Sequence, residues 1–345
     1  MDKILKMRTA IGASRSPGCR RRNRAATCLL GAALLLAHTV GAMARDTVSI
    51  LFVTSHTTAH YLHFVEEARQ GLGNAASVEF QTSTLPASQL RTHYRTGETG
   101  SYDMIVVLGT GAVRAVAEWR PAVPVLYALI PKASYEHLKQ SGALPCPGNQ
   151  CTAVYIDQPL TRTFDVLEAA FGSRQRLGVL LGPTSAADAD ALSGLARERG
   201  LTLHTAVVKN DDELLPAMNE LLKRSDVLLS LADPVVYNRR TAKSILLTTY
   251  RYKIPVLAYS RAYADAGAAL SVYSTPRQIS RQTSAIITAF FRDPDHRLPP
   301  PEYPRYYKVR VNRHVADSLG LDLANNPVLQ SIGNDIEDEK AEYSE

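Results

Sequence analysis

Cysteine is scarce in this chain of 345 residues, which contains four. Cys19 and Cys28 lie in a basic and apolar N-terminal segment, so the rest of the chain keeps only Cys146 and Cys151. Turn-forming residues, Pro147 to Gln150, separate this pair, and in an oxidising compartment a disulfide is the expected outcome. A two-cysteine metal site is the alternative, but the sequence places no further cysteine or histidine beside them.

A long apolar run at the N-terminus is also missing. Cys28 to Val40 is largely apolar, but it is shorter than the roughly 20 residues that a membrane-spanning helix needs. A cluster of four arginines, Arg20, Arg21, Arg22 and Arg24, stands just before this run, and the small-residue sequence Ala42-Met43-Ala44 follows it. This order is typical of a secretory signal peptide, so we predict that residues 1–44 are removed near Ala44 and that the mature protein is exported. A retained membrane anchor is the alternative.

Without that segment the chain lacks an excess of positive charge. Residues 1–44 hold eight of the 39 basic residues and one of the 33 acidic residues, which leaves 31 basic and 32 acidic residues. The basic character of the full sequence therefore belongs to the export signal. We accordingly expect no nucleic-acid partner.

Recognisable catalytic motifs are absent as well. The sequence has neither the Gly-x-Ser-x-Gly elbow of serine hydrolases nor the His-Glu-x-x-His motif of zinc hydrolases. Gly109-Thr110-Gly111 opens a predicted helix like a dinucleotide-binding turn, but Arg114 stands where the third glycine is needed. We therefore expect no enzyme activity and no cofactor.

What the chain does have is a repeated alternation of apolar strands and amphipathic helices. Residues 225–274 give the clearest example, because an apolar strand, a polar loop, a helix, a second apolar strand and a second polar loop at Tyr259–Tyr263 follow one another. A strand–helix–strand unit with a short crossover predicts parallel strands. Two such series follow along the chain, so we predict an α/β fold of two doubly wound parallel-sheet lobes joined by a hinge.

The points where the pattern restarts predict the division into lobes. Residues 45–156 and 275–293 are assigned to the first lobe, and residues 157–274 and 303–322 to the second. The segment from Asp293 to Pro304 is rich in proline and is predicted to be a linker. Residues 323–345 are rich in acidic side chains towards their end and are predicted to be a disordered tail.

Several segments resemble the periplasmic substrate-binding proteins of ABC-type transporters, in particular the tryptophan/tyrosine-type family. The matching segments include YDMIVVLGTGAVRAVA, RLGVLLGPTSAADADAL, SDVLLSLADPVVYNRRTAKSILLTTYRYKIPVLAYS and KVRVNRHVADSLGLDL, and they span about residues 48–322. The resemblance implies a type I periplasmic-binding fold that closes on a small molecule. It places ligand-binding turns at Gly109-Thr110-Gly111, at Gly182 to Ser185, and at Asp233, Tyr237 and Asn238. This chain departs from the family at Pro131 to Ser134, where relatives often carry an acidic turn.

Ligands of doubly wound sheets bind beyond the carboxyl ends of the strands. The predicted ligand-binding residues are those that follow strands in either lobe: His56, Thr110, Gly111, Thr184, Ser185, Asp233, Tyr237, Asn238, Arg261 and Tyr273. Tyrosines offer an apolar face with a hydroxyl, and an arginine pairs well with a carboxylate. The structural alternative is that Asp233 caps a helix and Arg261 is solvated.

A histidine cluster provides a second candidate site. His56, His60 and His63 lie close together, with Glu67 four residues after His63. On a helix some of these side chains share a face, which is compatible with zinc or copper. Capping or solvated histidines are the commoner explanation, so no metal is predicted.

These observations favour a non-enzymatic solute receptor, expected to be a monomer whose partners are a small-molecule ligand and an ABC permease in the inner membrane. One alternative is a ligand sensor for a histidine kinase or an outer-membrane receptor. A hydrolase or transferase built on the same scaffold is the other. The sequence does not identify the ligand.

Overall fold

The computed structural model describes residues 47–74, 78–95 and 102–332. The predicted signal peptide and the acidic end of the predicted tail, residues 333–345, lie outside this range. No helix within the described residues combines the length and the apolar character needed to span a bilayer.

The first sheet contains five parallel strands. They are β1 (Thr47–Thr54), β2 (Glu79–Pro86), β3 (Met104–Leu108), β4 (Val125–Ile130) and β5 (Cys151–Tyr155), in the order β2-β1-β3-β4-β5. Strands β3 and β4 are buried along their whole length, as continuous apolar runs in a parallel sheet should be.

Helices cover both faces of this sheet. They are α1 (Ala59–Gly73), α2 (Ala87–Arg95), α3 (Thr110–Trp119) and α4 (Lys132–Gln140). Two separate apolar clusters, one containing Phe52 and Phe64 and the other containing Val53 and Tyr127, pack on the sheet. Their separation follows from strand geometry, because successive side chains of β1 point to opposite faces.

The second sheet contains six strands. They are β6 (Arg176–Leu181), β7 (Thr202–Val207), β8 (Val227–Leu229), β9 (Val256–Ala258), β10 (Leu270–Tyr273) and β11 (Lys308–Val311), in the order β11-β10-β9-β8-β6-β7. The β10–β11 pair is antiparallel, and the other pairs are parallel.

The remaining helices follow in chain order. They are α5 (Leu160–Phe171), α6 (Ala189–Glu198), α7 (Asp211–Leu222), α8 (Ala242–Arg251), α9 (Arg261–Ala266), α10 (Pro276–Arg292), α11 (Arg313–Ser318) and α12 (Pro327–Ser331). Apolar clusters again pack on the second sheet, one containing Phe164 and Val179 and the other containing Leu180 and Met218. The predicted fold of two doubly wound lobes is therefore confirmed.

Helix α10 returns the chain to the first lobe. Thr275 and Gln278 form a reciprocal capping box at its start, and Pro276 occupies the first helical position. Its apolar face joins the cluster around Phe64, as the spacing of its apolar residues predicts. The hydroxyl of Ser280 donates a hydrogen bond to the carbonyl oxygen of Phe64 in α1 at 2.8 Å, which fixes α10 against the first lobe.

Three chain segments cross between the lobes and are joined by hydrogen bonds. Gln158 Nε2 donates to Ser274 Oγ at 2.8 Å, and Ser274 Oγ donates to the Tyr306 carbonyl oxygen at 2.6 Å. Arg162 Nη1 donates to the Pro304 carbonyl oxygen at 2.9 Å. Each crossing segment therefore contacts another one at the hinge.

The two cysteines predicted to pair form a disulfide. The Cα atoms of Cys146 and Cys151 are 5.1 Å apart, and the bridge closes the turn between α4 and β5. Tyr127 Oη donates a hydrogen bond to the Pro145 carbonyl oxygen at 2.5 Å, which ties the same turn to the first sheet. The predicted disulfide is confirmed.

Two predictions of irregular structure were wrong. The loop predicted at Tyr259–Tyr263 contains the start of α9, which Ser260 caps by accepting a hydrogen bond from the Tyr263 amide. The predicted disordered tail does not begin at residue 323, because Asn326 caps α12 and Leu329 is buried. The acidic side chains on which that prediction rested all lie beyond residue 332.

Candidate functional site

A cavity of about 810 Å³ lies between the two lobes. Its walls come from segments that follow β4 and β5 in the first sheet and β6, β8 and β9 in the second. These are carboxyl ends of parallel strands, where doubly wound sheets bind their ligands. The volume falls within the range of about 300–1,000 Å³ that is typical of small-molecule sites. We call this space the interlobe cavity.

The first-lobe wall is the start of α4. Residues lining the cavity from this helix include Lys132, Ala133, Ser134, Glu136 and His137. Pro131 sets the extended backbone before the helix, and the free amide of Lys132 donates to Asp157 Oδ2 at 2.5 Å. The Asp157 carboxylate thus satisfies a helix N-terminus that would otherwise point at the ligand space.

The second-lobe wall is the turn after β6, and Asp233 holds it in place. Asp233 Oδ2 accepts hydrogen bonds from the amides of Thr184 and Ser185 at 3.0 and 2.9 Å and from Ser185 Oγ at 3.0 Å. Asp233 Oδ1 accepts from the Val235 amide at 2.9 Å. Because Asp233 is 1% exposed and both of its carboxylate oxygens accept hydrogen bonds, it positions the turn.

Gly182 makes this arrangement possible. A Cβ atom at this position would lie 2.2 Å from Asp233 Oδ1, closer than any real contact of this kind. The Gly182 amide also donates to Ser185 Oγ at 2.9 Å. The turn therefore requires a residue without a side chain where the Asp233 carboxylate approaches.

The floor of the cavity combines apolar and polar groups. Leu231, Ala258 and Val272 supply apolar surface, while Tyr259 and Tyr303 supply aromatic rings. Ser230 also lines the cavity, and its buried hydroxyl has no hydrogen-bond partner among the described residues. An unsatisfied hydroxyl beside a cavity is a candidate ligand contact, since burial without a partner costs free energy.

Burial disfavours the ionised form of two carboxyl groups in the cavity, those of Asp157 and Asp188. Burial raises the pKa of the Asp157 carboxyl to about 6, and hydrogen bonds from backbone amides oppose that shift only in part. Burial also raises the pKa of Asp188, against the attraction of Lys132. The pKa of Lys132 is raised by its hydrogen bond with Tyr303, and its Nζ lies 5.5 Å from the centre of that ring.

Two of the ligand-binding residues predicted from the sequence, Thr184 and Ser185, line the interlobe cavity. Tyr237 lies next to Asp233 but packs into the second-lobe core at 4% exposure, edge-to-face against Tyr263. The Asn238 side chain is engaged within its own loop, donating to Pro234 and accepting from Arg240.

The other second-lobe predictions lie outside the cavity lining. Arg261 begins α9, and its Nε lies 3.4 Å from Asp265 Oδ2. Tyr273 is 6% exposed at the end of β10, beside the hinge. Ligand contacts by these two residues, and by Asp233, Tyr237 and Asn238, stay predictions.

The first-lobe predictions lie at the carboxyl ends of β1 and β3. His56, Thr110 and Gly111 are exposed and are not among the residues that line the interlobe cavity. The turn before α3 has a packing role, because a Cβ at Gly109 would lie 2.3 Å from Tyr61 Oη. Their contact with a ligand stays a prediction.

The histidine cluster does not assemble a metal site in the described part of the chain, where no group of three or more potential ligands is placed to hold an ion. The rings of His60 and Tyr61 lie 4.3 Å apart, and Thr58 Oγ1 lies 3.2 Å from His60 Nδ1. Burial lowers the pKa of His60, with a further contribution from His56.

Sequence reasoning missed several residues that line the cavity: Lys132, Asp157, Asp188, Ser230 and Tyr303. Asp157 and Ser230 directly follow apolar strands, so the rule that marked Thr110 also applied to them. Tyr303 lies in a proline-rich segment predicted to be only a linker, and no local pattern marks it. Its contribution depends on the path of the chain at the hinge.

The comparisons with known proteins agree with this architecture. Residues 47–331 match the model of the family described as ABC transporter substrate binding protein. Among curated proteins, no sequence matches the chain.

Solved structures with the same fold include an ABC domain from Streptococcus pneumonia in complex with L-Trp. It is 16% identical, has a TM-score of 0.58, and the alignment covers 84% of this chain and 99% of that one. The ligand-free, open structure of a substrate-binding protein with adhesive properties from Clostridium difficile is 15% identical, with a TM-score of 0.62 and coverages of 81% and 96%. A conserved domain protein from Vibrio cholerae is 18% identical, with a TM-score of 0.53 and coverages of 84% and 99%. At these identities the likeness concerns the fold alone.

Proposed function

The chain belongs to the ABC transporter substrate-binding protein family, and from that premise we propose that it is the periplasmic receptor of an uptake system. It binds a small organic molecule in the interlobe cavity and presents it to an ABC permease in the inner membrane. The observation that supports this most is the cavity itself, which both lobes line at the carboxyl ends of their strands.

Binding is coupled to closure in this proposal. Lys132 and Ser134 approach the ligand from the first lobe, and Thr184 and Ser185 approach it from the second. A ligand that contacts both walls stabilises the closed form, because it gains contacts that the open form lacks. Hinge closure around a ligand is the documented behaviour of periplasmic binding proteins.

Export to the periplasm is part of the same proposal. The N-terminal sequence supports a signal peptide of 44 residues, so that the mature chain begins at about Arg45. The Cys146–Cys151 disulfide agrees with an oxidising compartment. The mature receptor acts as a monomer.

The ligand is an organic molecule of modest size. The similar structure from Streptococcus pneumonia contains L-Trp, and the interlobe cavity has room for a molecule of that class at about 810 Å³. Tyr259, Tyr303 and Leu231 supply apolar contacts for its body, and Ser230 offers a hydroxyl for a polar group.

Two matched serine variants test this site. Ser230 and Ser271 are both buried with unpartnered hydroxyls in the described residues, but only Ser230 belongs to the cavity lining. A thermal-shift screen first identifies a stabilising compound, and calorimetry then measures its affinity. Ser230→Ala should weaken binding about 5- to 10-fold, the value of one hydrogen bond of about 1 kcal/mol or slightly more. Ser271→Ala should leave affinity unchanged.

Equal affinities in wild type and Ser230→Ala would contradict a ligand at the cavity floor. Circular dichroism of both variants provides the folding check, since neither substitution removes a hydrogen bond within the described residues.

A further inference from the structure

The charges that line the interlobe cavity are unbalanced. Three carboxyl side chains, Glu136, Asp157 and Asp188, face one lysine, Lys132, among its described lining residues. Glu136 accepts a hydrogen bond from Tyr155 Oη at 3.2 Å, so it already has a partner. None of the three forms an ion pair among the described residues, but only at Asp157 and Asp188 does burial raise the pKa of the carboxyl group.

These two aspartates approach the cavity from different elements. Asp157 follows β5 where the chain first crosses between lobes, and Asp188 ends the short turn after β6 in the second lobe. The Asp188 carboxylate accepts no hydrogen bond and forms no ion pair in the described structure. The two carboxylates also repel one another, since the charge of Asp188 adds to the raised pKa of Asp157.

The neighbouring lysine does not neutralise them. Lys132 attracts both carboxylates, but no lysine–carboxylate distance in this group reaches ion-pair range. Its ammonium instead lies 5.5 Å from the centre of the Tyr303 ring. Two partly buried carboxylates therefore lack an ion-pair partner, a condition that costs free energy until a cation arrives.

Other groups beside Asp157 and Asp188 are suited to contact the remainder of a cationic molecule. Ser230 adds a buried hydroxyl without a partner, which is an independent sign that a polar group is missing from the site. Tyr259 and Tyr303 offer aromatic faces, which attract cations as well as apolar groups.

We infer that the ligand of this receptor is an organic cation, whose ammonium or guanidinium group lies between Asp157 and Asp188. The inference rests on the proposed function and specifies its ligand class. An anion would meet two repelling carboxylates, and a neutral molecule would leave both of them unpaired. Lys132 then lowers the affinity for the cation, because it brings a like charge to the same space.

The test uses probes that share a body and differ in charge. Tyramine, 4-ethylphenol and 4-hydroxyphenylpropanoate form one series, and putrescine with 1,4-butanediol and succinate forms another. The same thermal-shift screen includes a broader set with equal numbers of cations, neutral compounds and anions. We expect the stabilising compounds to be cations, and their affinity to fall as salt concentration rises.

Charge variants then locate the cationic group by calorimetry with the strongest-binding cation. Asp188→Asn removes a charge without breaking a hydrogen bond, and Asp157→Asn keeps an acceptor for the Lys132 amide. Each should weaken binding about 10-fold or more, the value of a charge-assisted hydrogen bond. Lys132→Gln should strengthen it several-fold. Asp190→Asn, an exposed position outside the cavity lining, serves as the matched control and should change nothing.

The outcomes separate this inference from the function on which it rests. If the strongest binder is neutral or anionic, or if both aspartate variants bind the cation like wild type, the inference is overturned and the receptor function stands. If no compound of any charge class stabilises the protein, the receptor function itself is contradicted.

Discussion

Asp157 has two roles with opposite effects on the free energy of folding. It satisfies the start of α4 by accepting a hydrogen bond from the Lys132 amide, and it places a carboxylate in the interlobe cavity, where burial raises its pKa to about 6. The carboxyl group therefore holds its proton more tightly in the folded than in the unfolded chain. Such a group stabilises the fold most below the unfolded pKa of about 4, and this contribution is lost as pH rises through 6.

The raised pKa of Asp157 predicts that the stability of the ligand-free protein falls as the pH rises. Between pH 4 and pH 7, wild type should lose roughly 2–3 kcal/mol of unfolding free energy relative to Asp157→Asn, which has no proton to lose there. Urea unfolding of both proteins across this range provides the measurement, with Asp190→Asn as the exposed control. A difference between wild type and Asp157→Asn that stays constant with pH would show that Asp157 ionises normally.

Individual residues show which parts of the site could be predicted from the sequence. Thr184 and Ser185 were found because they follow an apolar strand in a recognisable turn. Asp233 was marked by the same logic, but its carboxylate holds that turn through three hydrogen bonds and its own loop through two more. The sequence cannot distinguish a carboxylate that contacts a ligand from one that contacts the loop beside it, because both follow a strand end.

The turn between β6 and α6 depends on the close approach of Asp233 to Gly182. Gly182→Ala should displace this turn, because the added Cβ would lie 2.2 Å from Asp233 Oδ1. We expect a loss of roughly 1–3 kcal/mol in unfolding free energy, the usual range for overpacking, together with weaker ligand binding.

Gly194→Ala is the matched control. Gly194 lies within α6, and a Cβ there would meet nothing within 4 Å. This substitution should stabilise the protein by roughly 0.5–1 kcal/mol, because glycine is costly inside a helix. Chemical denaturation of both variants decides the point, and similar effects of the two would mean that Gly182 is dispensable.

The disulfide acts on the segment between α4 and β5. Replacing both Cys146 and Cys151 by serine should lower the free energy of unfolding by about 2 kcal/mol, the low end expected for so small a loop. Equilibrium unfolding of wild type under non-reducing conditions, compared with the double variant, measures this. Addition of a reductant should bring wild type to the stability of the variant and leave the variant unchanged. Coincident curves before reduction would contradict a stabilising bridge.

A helix whose apolar residues recur regularly on one face can be predicted from the sequence. A short helix that forms because it packs against neighbouring elements cannot. Helix α10 was recognisable from Ile279, Ile286 and Phe290, which recur on one face. Helix α9 has six residues and exists because Tyr263 and Ala264 are buried against the second lobe. Helix α12 likewise depends on the burial of Leu329. No local pattern reveals such packing in advance.

The order of strands and helices along the whole chain was sufficient to predict two lobes, since the strand–helix alternation restarts after β5. The lobe boundaries predicted from the sequence, next to Asp157 and Ser274, carry no information about the contacts that join the crossing segments. One chain of hydrogen bonds joins Gln158 to Ser274 and Ser274 to Tyr306. The first pair is 116 residues apart in sequence, and the second pair is 32 residues apart. Such long-range contacts depend on the path of the backbone.

Closure of the two lobes on a ligand is the central claim, and small-angle X-ray scattering tests it most directly. The radius of gyration of the mature protein is measured without ligand and at a saturating concentration of the strongest-binding compound from the screen. The account predicts a smaller radius of gyration with ligand, and no such change when Ser271→Ala is compared with wild type in the ligand-free state. Identical scattering profiles with and without saturating ligand would contradict it.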